Sequence, residues 1–347
     1  MKVFEKSTEL YHQIKNADSV KCEILLPTGK IPIQWKVNFL NYNPPSEMEI
    51  NPLTIFDSCK IKLPCKIANE ILKSDLDVLS HFTTCDSQKS QLSNDRLEWY
   101  FYIDWFLDSE CISEQKNLAE CVHDLSIFLN NPSHKSKIEW VNNANSLLKY
   151  VLQKSNYAKY QIESIIEEIT SYYNSLLIEK SKMNFSKYIS NRIGSTGSAS
   201  ELECCFGYKN VALSHSEKMH IALFKNLFGQ CQILHNDTLS AGKEFYEQNG
   251  ARIFDYFSNH DSFSNFVQES YSRLIDTFIS LQSQEHENLY WYWQSVQNWI
   301  CGSLIWHLNS GRYSNYVQNI LPRSDTKLSA NGRFSSLEGQ SNYKLSH

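Results

Sequence analysis

Asn236, Ser240 and Glu244 stand at i, i+4 and i+8 in the run His235-Asn236-Asp237-Thr238-Leu239-Ser240-Ala241-Gly242-Lys243-Glu244. On an α-helix they lie along one stripe. An amide oxygen, a hydroxyl and a carboxylate are hard donors, which suit Mg²⁺ or Mn²⁺ and not zinc. Lys243 sits beside the last of them, where an ammonium can reach a phosphate carried by the metal. The same spacing also describes an ordinary polar helix face, so the chemistry needs partners elsewhere in the chain.

Three other segments offer them. In Trp99-Tyr100-Phe101-Tyr102-Ile103-Asp104-Trp105-Phe106-Leu107-Asp108-Ser109-Glu110, Asp104 and Asp108 are one helical turn apart at the end of an almost wholly apolar and aromatic strip. Carboxylates in that position are costly to bury unless something such as a metal compensates; otherwise they mark the wet end of a helix. In Trp306-His307-Leu308-Asn309-Ser310-Gly311-Arg312-Tyr313, a guanidinium and a phenol stand side by side. Both donate to phosphate oxygens, although a cation at a helix C-terminus also satisfies the dipole. Arg192 opens the stretch Arg192-Ile193-Gly194-Ser195-Thr196-Gly197-Ser198, which suits an oxyanion beside exposed amides or a plain surface loop.

The elements that must hold these residues are helical. Leu97, Phe101, Asp104 and Asp108 share a stripe over residues 92–108, and Ile162, Ile165, Ile166, Ile169, Tyr173, Leu176 and Leu177 keep helical spacing over 158–190. Further amphipathic stretches cover 211–247, 262–283 and 287–309. The Arg192 segment, with its glycines, is expected to interrupt a helix. Residues 1–60 read as an irregular N-terminal wrap with the apolar runs Cys22–Leu26 and Ile31–Trp35 and the pair Asn51-Pro52. One helical domain is expected over 61–321 and a Ser-, Asn- and Gly-rich tail over 322–347.

Composition agrees with an all-α fold. The 347 residues are 41% apolar and 13% aromatic, and the 11 Gly and 8 Pro are too few for a protein built on many tight turns. A net charge of −5 without a Lys/Arg stripe argues against nucleic-acid binding. No apolar run approaches the roughly 20 residues of a membrane helix, and the N-terminus lacks the apolar core of a signal peptide. The ten cysteines, including Cys204-Cys205, form no zinc spacing, and His215 and His220 make no HExxH. Reduced thiols and a cytoplasmic location are expected.

In order and spacing, the four segments resemble those of the microbial-type class I terpene synthases. Asn236-Asp237-x-x-Ser240-x-x-Lys243-Glu244 matches that family's NSE motif, lysine included. Asp104-Trp105-Phe106-Leu107-Asp108 is similar to its aspartate-rich motif, Arg312-Tyr313 to its C-terminal RY motif, and Asn51-Pro52 to a short N-terminal signature. Arg192, 44 residues before Asn236, lies close to the family's diphosphate-sensing arginine, with Ser195 at the linker and Thr196 at the effector position. The resemblance spans residues 50 to 313. Two departures stand out: Trp105 replaces the second acidic residue, and Ile193 follows Arg192 where a second arginine is frequent.

The resemblance implies an all-α terpenoid synthase domain, a helical bundle around a deep apolar cavity. It implies Mg²⁺-dependent ionisation of an acyclic prenyl diphosphate and cyclisation of the carbocation, with farnesyl diphosphate ahead of geranylgeranyl diphosphate. Three Mg²⁺ (or Mn²⁺ in substitution) would be held by Asp104, with Asp108 secondary, and by Asn236, Ser240 and Glu244. Arg192, Lys243, Arg312 and Tyr313 would clamp the diphosphate, and Thr196 would help trigger ionisation. Trp99, Tyr100, Phe101 and Trp306, beside the polar motifs at helical offsets, are candidates for the aromatic walls. A monomer or homodimer is expected. The alternatives are a helical prenyl-diphosphate-binding protein that has lost turnover, which Trp105 would favour, and a prenyl chain elongase, which needs a second aspartate-rich motif in place of the NSE run.

Overall fold

The computed structural model describes residues 2–37, 50–84, 87–109, 115–154, 159–176, 183–196, 202, 213–247, 253–282 and 289–324. Helix α1 (Lys2–Ile14) leads into a hairpin of β1 (Ser19–Leu26) and β2 (Gly29–Lys36). Short helices α2 (Thr54–Ser58), α3 (Cys65–Lys73) and α4 (Leu76–Thr83) follow. The long helices are α5 (Ser87–Ser109), α6 (Gln115–Asn130), α7 (Glu139–Lys154) and α8 (Lys159–Leu176). Next come α9 (Phe185–Ser195), α10 (His215–Leu239) and α11 (Ala241–Glu247). After a 3₁₀ turn (Ile253–Tyr256) come α12 (His260–Gln282), α13 (Tyr290–Asn309) and β3 (Val317–Arg323). Among the described residues the fold is all-α with one small sheet.

The N-terminal stretch expected to be irregular is therefore a helix and a β-hairpin. Val20, Cys22, Ile24 and Leu26 alternate inward along β1, and Ile31, Ile33 and Trp35 do so along β2. That is the period-2 pattern of a sheet with one covered face. Strand β3 pairs antiparallel with the other edge of β1, giving the order β2-β1-β3. It carries regular structure through Arg323, past the Pro322 at which a tail was expected to begin, while residues 325–347 lie outside the described residues. The sheet's inner face packs on helices: Trp35 meets His235 of α10 and Tyr271 of α12 edge-on, at centroid distances of 5.3 and 5.0 Å.

Helix α13 is buried on almost every side from Tyr292 to Leu308. A helix buried all round belongs in the middle of a bundle, and α4 and α10 pack against it. The crossing with α4 is tight. A Cβ at Gly302 would stand 2.7 Å from both the Phe82 carbonyl oxygen and Thr83 Cγ2. Helix α10 starts on a capping box in which Ser214 and Glu217 satisfy each other's backbone N–H groups.

The Asn51-Pro52 segment is fastened to α5. Gln91 accepts from the Asn51 N–H (2.8 Å) and donates to its carbonyl (3.2 Å), and Glu98 accepts from the Leu53 N–H (2.7 Å). Leu53 is held at φ 64°, a left-handed conformation that favours glycine. Glu98 is fully buried, and burial pushes its carboxyl up to about 7, although the bonds from Leu53 and Asn94 oppose the shift. Its folded form thus holds a proton that the unfolded chain has released, and stability declines as pH rises from about 4.5 towards 7.

Two outcomes are expected. Gly302→Ala should cost about 1–3 kcal/mol by forcing α13 off α4, read as a lower urea midpoint. Glu98→Gln should flatten the fall in stability between pH 4.5 and 7 and raise stability at pH 8 by on the order of 1–3 kcal/mol. Urea titrations across that range measure both.

Candidate active site

The stripe Asn236/Ser240/Glu244 survives a break in its helix. Ser240 caps α10, yet its N–H donates to the Asn236 carbonyl (2.8 Å) and the Glu244 N–H donates to the Ser240 carbonyl (2.9 Å). Those i to i+4 bonds keep the three side chains one turn apart, and Ser240 Oγ donates to Glu244 Oε1 at 2.7 Å. Gly242 makes the seat possible: a Cβ there would lie 2.5 Å from the Leu25 carbonyl and 2.8 Å from Tyr316 Cβ. Any side chain would push α11, and Lys243 and Glu244 with it, away from the hairpin.

Arg192 belongs to the last turn of α9 and not to a break. Thr196 caps that helix, its hydroxyl donating to the Ile193 carbonyl (3.2 Å), and Gly197-Ser198 lie outside the described residues. The Arg192 guanidinium faces α10. Its Nε donates to both carboxylate oxygens of Asp237 (3.2 and 3.1 Å) and its Nη2 to Asp237 Oδ1. Nη2 also reaches Asn236 Oδ1 (3.1 Å), and Nη1 donates to Ser195 Oγ (3.0 Å). Tyr188, one turn earlier on the same face of α9, donates to Asp237 Oδ2 at 2.6 Å. The helices come this close because Gly229 faces Ile193, where a Cβ would sit 3.2 Å from Ile193 Cγ2.

This pair is desolvated, with side chains 15% and 2% exposed for Arg192 and Asp237. Burial works against the guanidinium's charge, but Asp237, by its charge and hydrogen bonds, keeps the Arg192 pKa above its ordinary value. Burial and then Asp237 raise the Glu244 carboxyl, while Ser240, Arg192 and Lys243 pull it back. Lys243 thus acts on the carboxylate beside it.

The remaining candidate residues are carried by α5, α13 and the turn that follows α13. Asp104 is exposed, and its Oδ1 accepts from Tyr172 Oη of α8 at 2.6 Å. Tyr172 in turn meets Tyr100 edge-on, with centroids 5.6 Å apart. Burial and the neighbouring Asp104 hold the Tyr172 hydroxyl well above its ordinary pKa, so it stays a donor. Trp105, at the departed acidic position, is half-buried under the Lys66 ammonium (5.5 Å from the ring centre). Asp108 lies on α5, but its side chain falls outside the described residues.

Phe101 and Trp306 meet edge-on at 6.3 Å, and the Arg312 guanidinium stands 4.8 Å above the Phe101 ring. Trp306 spends its indole N–H on the Ser74 carbonyl (2.6 Å), and Tyr313 abuts its ring at 5.4 Å. Burial raises the Tyr313 hydroxyl, Arg312 opposes this, and the charges of Glu244 and Asp104 both add to it. One buried phenol therefore lies within the field of both carboxylates. Trp99 packs against Tyr100, with centroids 4.4 Å apart, and its indole donates to the Ala144 carbonyl of α7 (3.1 Å).

Spacing alone singles out neither Asp237, Tyr188 nor Tyr172. Tyr188 carries a local signal, one helical turn from Arg192, whereas Tyr172 is 68 residues from Asp104 and carries none. His307, stacked on Tyr313 at 5.1 Å, is held by burial down at about 4 and is neutral at pH 7. Removing one partner of the buried pair should reveal its cost. Arg192→Met should destabilise the fold by about 3–5 kcal/mol, and Arg192→Met with Asp237→Asn by markedly less, because no charge is then stranded. Equilibrium denaturation of the two variants makes the comparison.

No protein-family profile matches the chain, and no curated protein matches its sequence. Solved structures do match. Linalool/nerolidol synthase from Streptomyces clavuligerus, in complex with 2-fluorogeranyl diphosphate, is 14% identical, covers 80% of this chain and 100% of its own, and has a TM-score of 0.54. A cucumene synthase variant is 13% identical over 79% and 99%, with a TM-score of 0.59. Hedycaryol synthase in complex with HEPES is 14% identical over 77% and 97%, at 0.57. At such identities the likeness is one of fold, and the chain has the all-α fold of the microbial class I terpene synthases.

Proposed function

We propose that the chain is a class I terpene synthase that ionises an acyclic prenyl diphosphate and cyclises the resulting carbocation. The observation that carries this reading is the contact of Arg192 with Asn236 at 3.1 Å, which sets a buried guanidinium against a stripe of hard oxygen donors. Anion recognition and cation recognition thus share one edge of the bundle. The neighbouring synthases of like fold support the same reading.

The donor set fits Mg²⁺. Asn236 Oδ1, Ser240 Oγ and Glu244 Oε1 are all hard oxygens, and Ser240 and Glu244 are already within hydrogen-bond distance of each other. Asp104 would supply a ligand from the facing wall, with Asp108 secondary. Mg²⁺, when bound, supplies Lewis-acid neutralisation of the diphosphate.

The chain's own groups would do the rest. Arg192, Lys243, Arg312 and Tyr313 would donate to the diphosphate oxygens as the allylic C–O bond breaks and its electron pair leaves with the diphosphate. Charge-assisted bonds of this kind are worth roughly 1.5–3 kcal/mol each. Thr196, at the end of α9, would take part in triggering, and Ser195 would link it to Arg192. Phe101, Trp306 and Tyr100 would face the cation with electron-rich rings that do not react with it, each contributing roughly 2 kcal/mol or more when desolvated. Farnesyl diphosphate leads as substrate, with geranylgeranyl diphosphate next. No helix among the described residues is long and apolar enough to cross a membrane.

The test is incubation of the purified protein with Mg²⁺ and each prenyl diphosphate, with released diphosphate and volatile products measured. Release from the allylic diphosphate alone, without isopentenyl diphosphate, separates this activity from chain elongation; binding without release would mark a non-catalytic protein. Asn236→Ala and Glu244→Gln should each lower turnover by about a hundredfold or more while leaving helical circular dichroism unchanged. Wild-type rates in both variants would remove the metal assignment.

A further inference from the structure

The guanidinium that should meet the diphosphate is bound elsewhere in this state. All of its described bonds run to Asp237, Asn236 and Ser195. One of these acceptors, Asn236 Oδ1, is the oxygen a metal would need. A divalent cation on that oxygen would face a positive charge one hydrogen bond away, in a setting where little water screens it.

The two halves of the guanidinium are not held alike. The Nε edge is clamped on a buried carboxylate that Tyr188 also holds, whereas Ser195 and Asn236 offer neutral acceptors at 3.0 and 3.1 Å. Anionic oxygens make stronger, shorter bonds than neutral ones. A diphosphate can therefore take over those outer donors while the Asp237 clamp stays closed.

Building on the terpene synthase reading, we propose that Asp237 and Tyr188 are positioning residues that hold Arg192 as a latch on Asn236. A diphosphate must draw the latch off before a metal can use that oxygen. Cation and anion then bind as a set, and neither fills the site well alone. The coupling is reciprocal: the anion raises metal affinity by the factor by which the metal raises anion affinity. A latch of this kind keeps Asn236 from collecting metal in the absence of substrate.

The experiment counts bound Mn²⁺ by electron paramagnetic resonance in the full chain, at fixed free Mn²⁺, with and without inorganic pyrophosphate. In the wild type, pyrophosphate should raise Mn²⁺ affinity by about tenfold or more, the worth of one charge-assisted hydrogen bond exchanged. Arg192→Met with Asp237→Asn removes the latch and leaves no buried charge unpaired. It should bind Mn²⁺ alone about tenfold more tightly than the wild type, with little further gain from pyrophosphate. Arg192→Lys, which lacks the guanidinium fork that spans Asp237 and Asn236, should shift in the same direction and serves if the double variant does not fold. A purely structural role predicts the reverse, weaker Mn²⁺ binding in both variants. Unchanged or weaker binding in the variants, beside pyrophosphate-dependent binding in the wild type, overturns the latch and leaves the proposed function standing. A wild type that binds no Mn²⁺ even with pyrophosphate overturns both.

Discussion

A guanidinium and a carboxylate taken out of water together constrain everything around them. Asp237 is almost inaccessible and Arg192 largely covered, and each would be a stranded charge without the other. Their pairing brings the end of α9 against α10, and the approach is open because position 229 has no side chain. It orients Asn236 through a shared donor. It also loads Glu244 with the field of a second carboxylate, which Ser240, Arg192 and Lys243 must offset. A single ion pair thus sets the helix spacing, the orientation of one candidate ligand and the charge of another.

Beside this polar cluster the bundle carries an aromatic one, gathered about the Arg312-Tyr313 turn. Arg312 lies over Phe101, and Tyr313 is wedged between Trp306 and the flat face of His307. The nearby imidazoles of His235 and His307 are kept neutral by burial, so they add no charge beneath the turn. For a reaction that separates charge, this is a consistent division of labour. Under the proposed function, fixed cations and donors would meet the departing negative charge, and electron-rich rings the positive charge that remains.

Much of this was legible in the sequence because helices repeat locally. The i, i+4, i+8 stripe from Asn236 to Glu244 holds through the break at Ser240, and the helix bearing Phe101 and Asp104 lies where periodicity puts it. What escaped depends on contacts between distant residues. Nothing near Asp104 points to Tyr172 on another helix, and nothing near Trp99 points to the Ala144 carbonyl that takes its indole N–H. The glycine at 194 points to a helix end near 190, but α9 continues through it to Ser195 and takes Arg192 into its last turn. The hairpin was readable from the alternation on both sides of Pro27-Thr28, but its third strand lies near the far end of the described chain.

That third strand has a consequence for how the protein is made. Leu25 of β1 borders two segments distant from it in sequence, its N–H donating to the Tyr316 carbonyl at 2.8 Å and its carbonyl oxygen lying against Gly242 of α11. The partner of Ile24 is Val317, about 290 residues further on. During vectorial synthesis one edge of β1 must therefore wait, unpaired, while the whole helical bundle emerges from the ribosome. An unpaired strand edge is a point of attachment for other chains, and closure across so long a loop is slow. Lys21 and Glu23 on the solvent side of β1 place charges along that waiting edge, which discourages a neighbouring chain from docking before the native strand arrives.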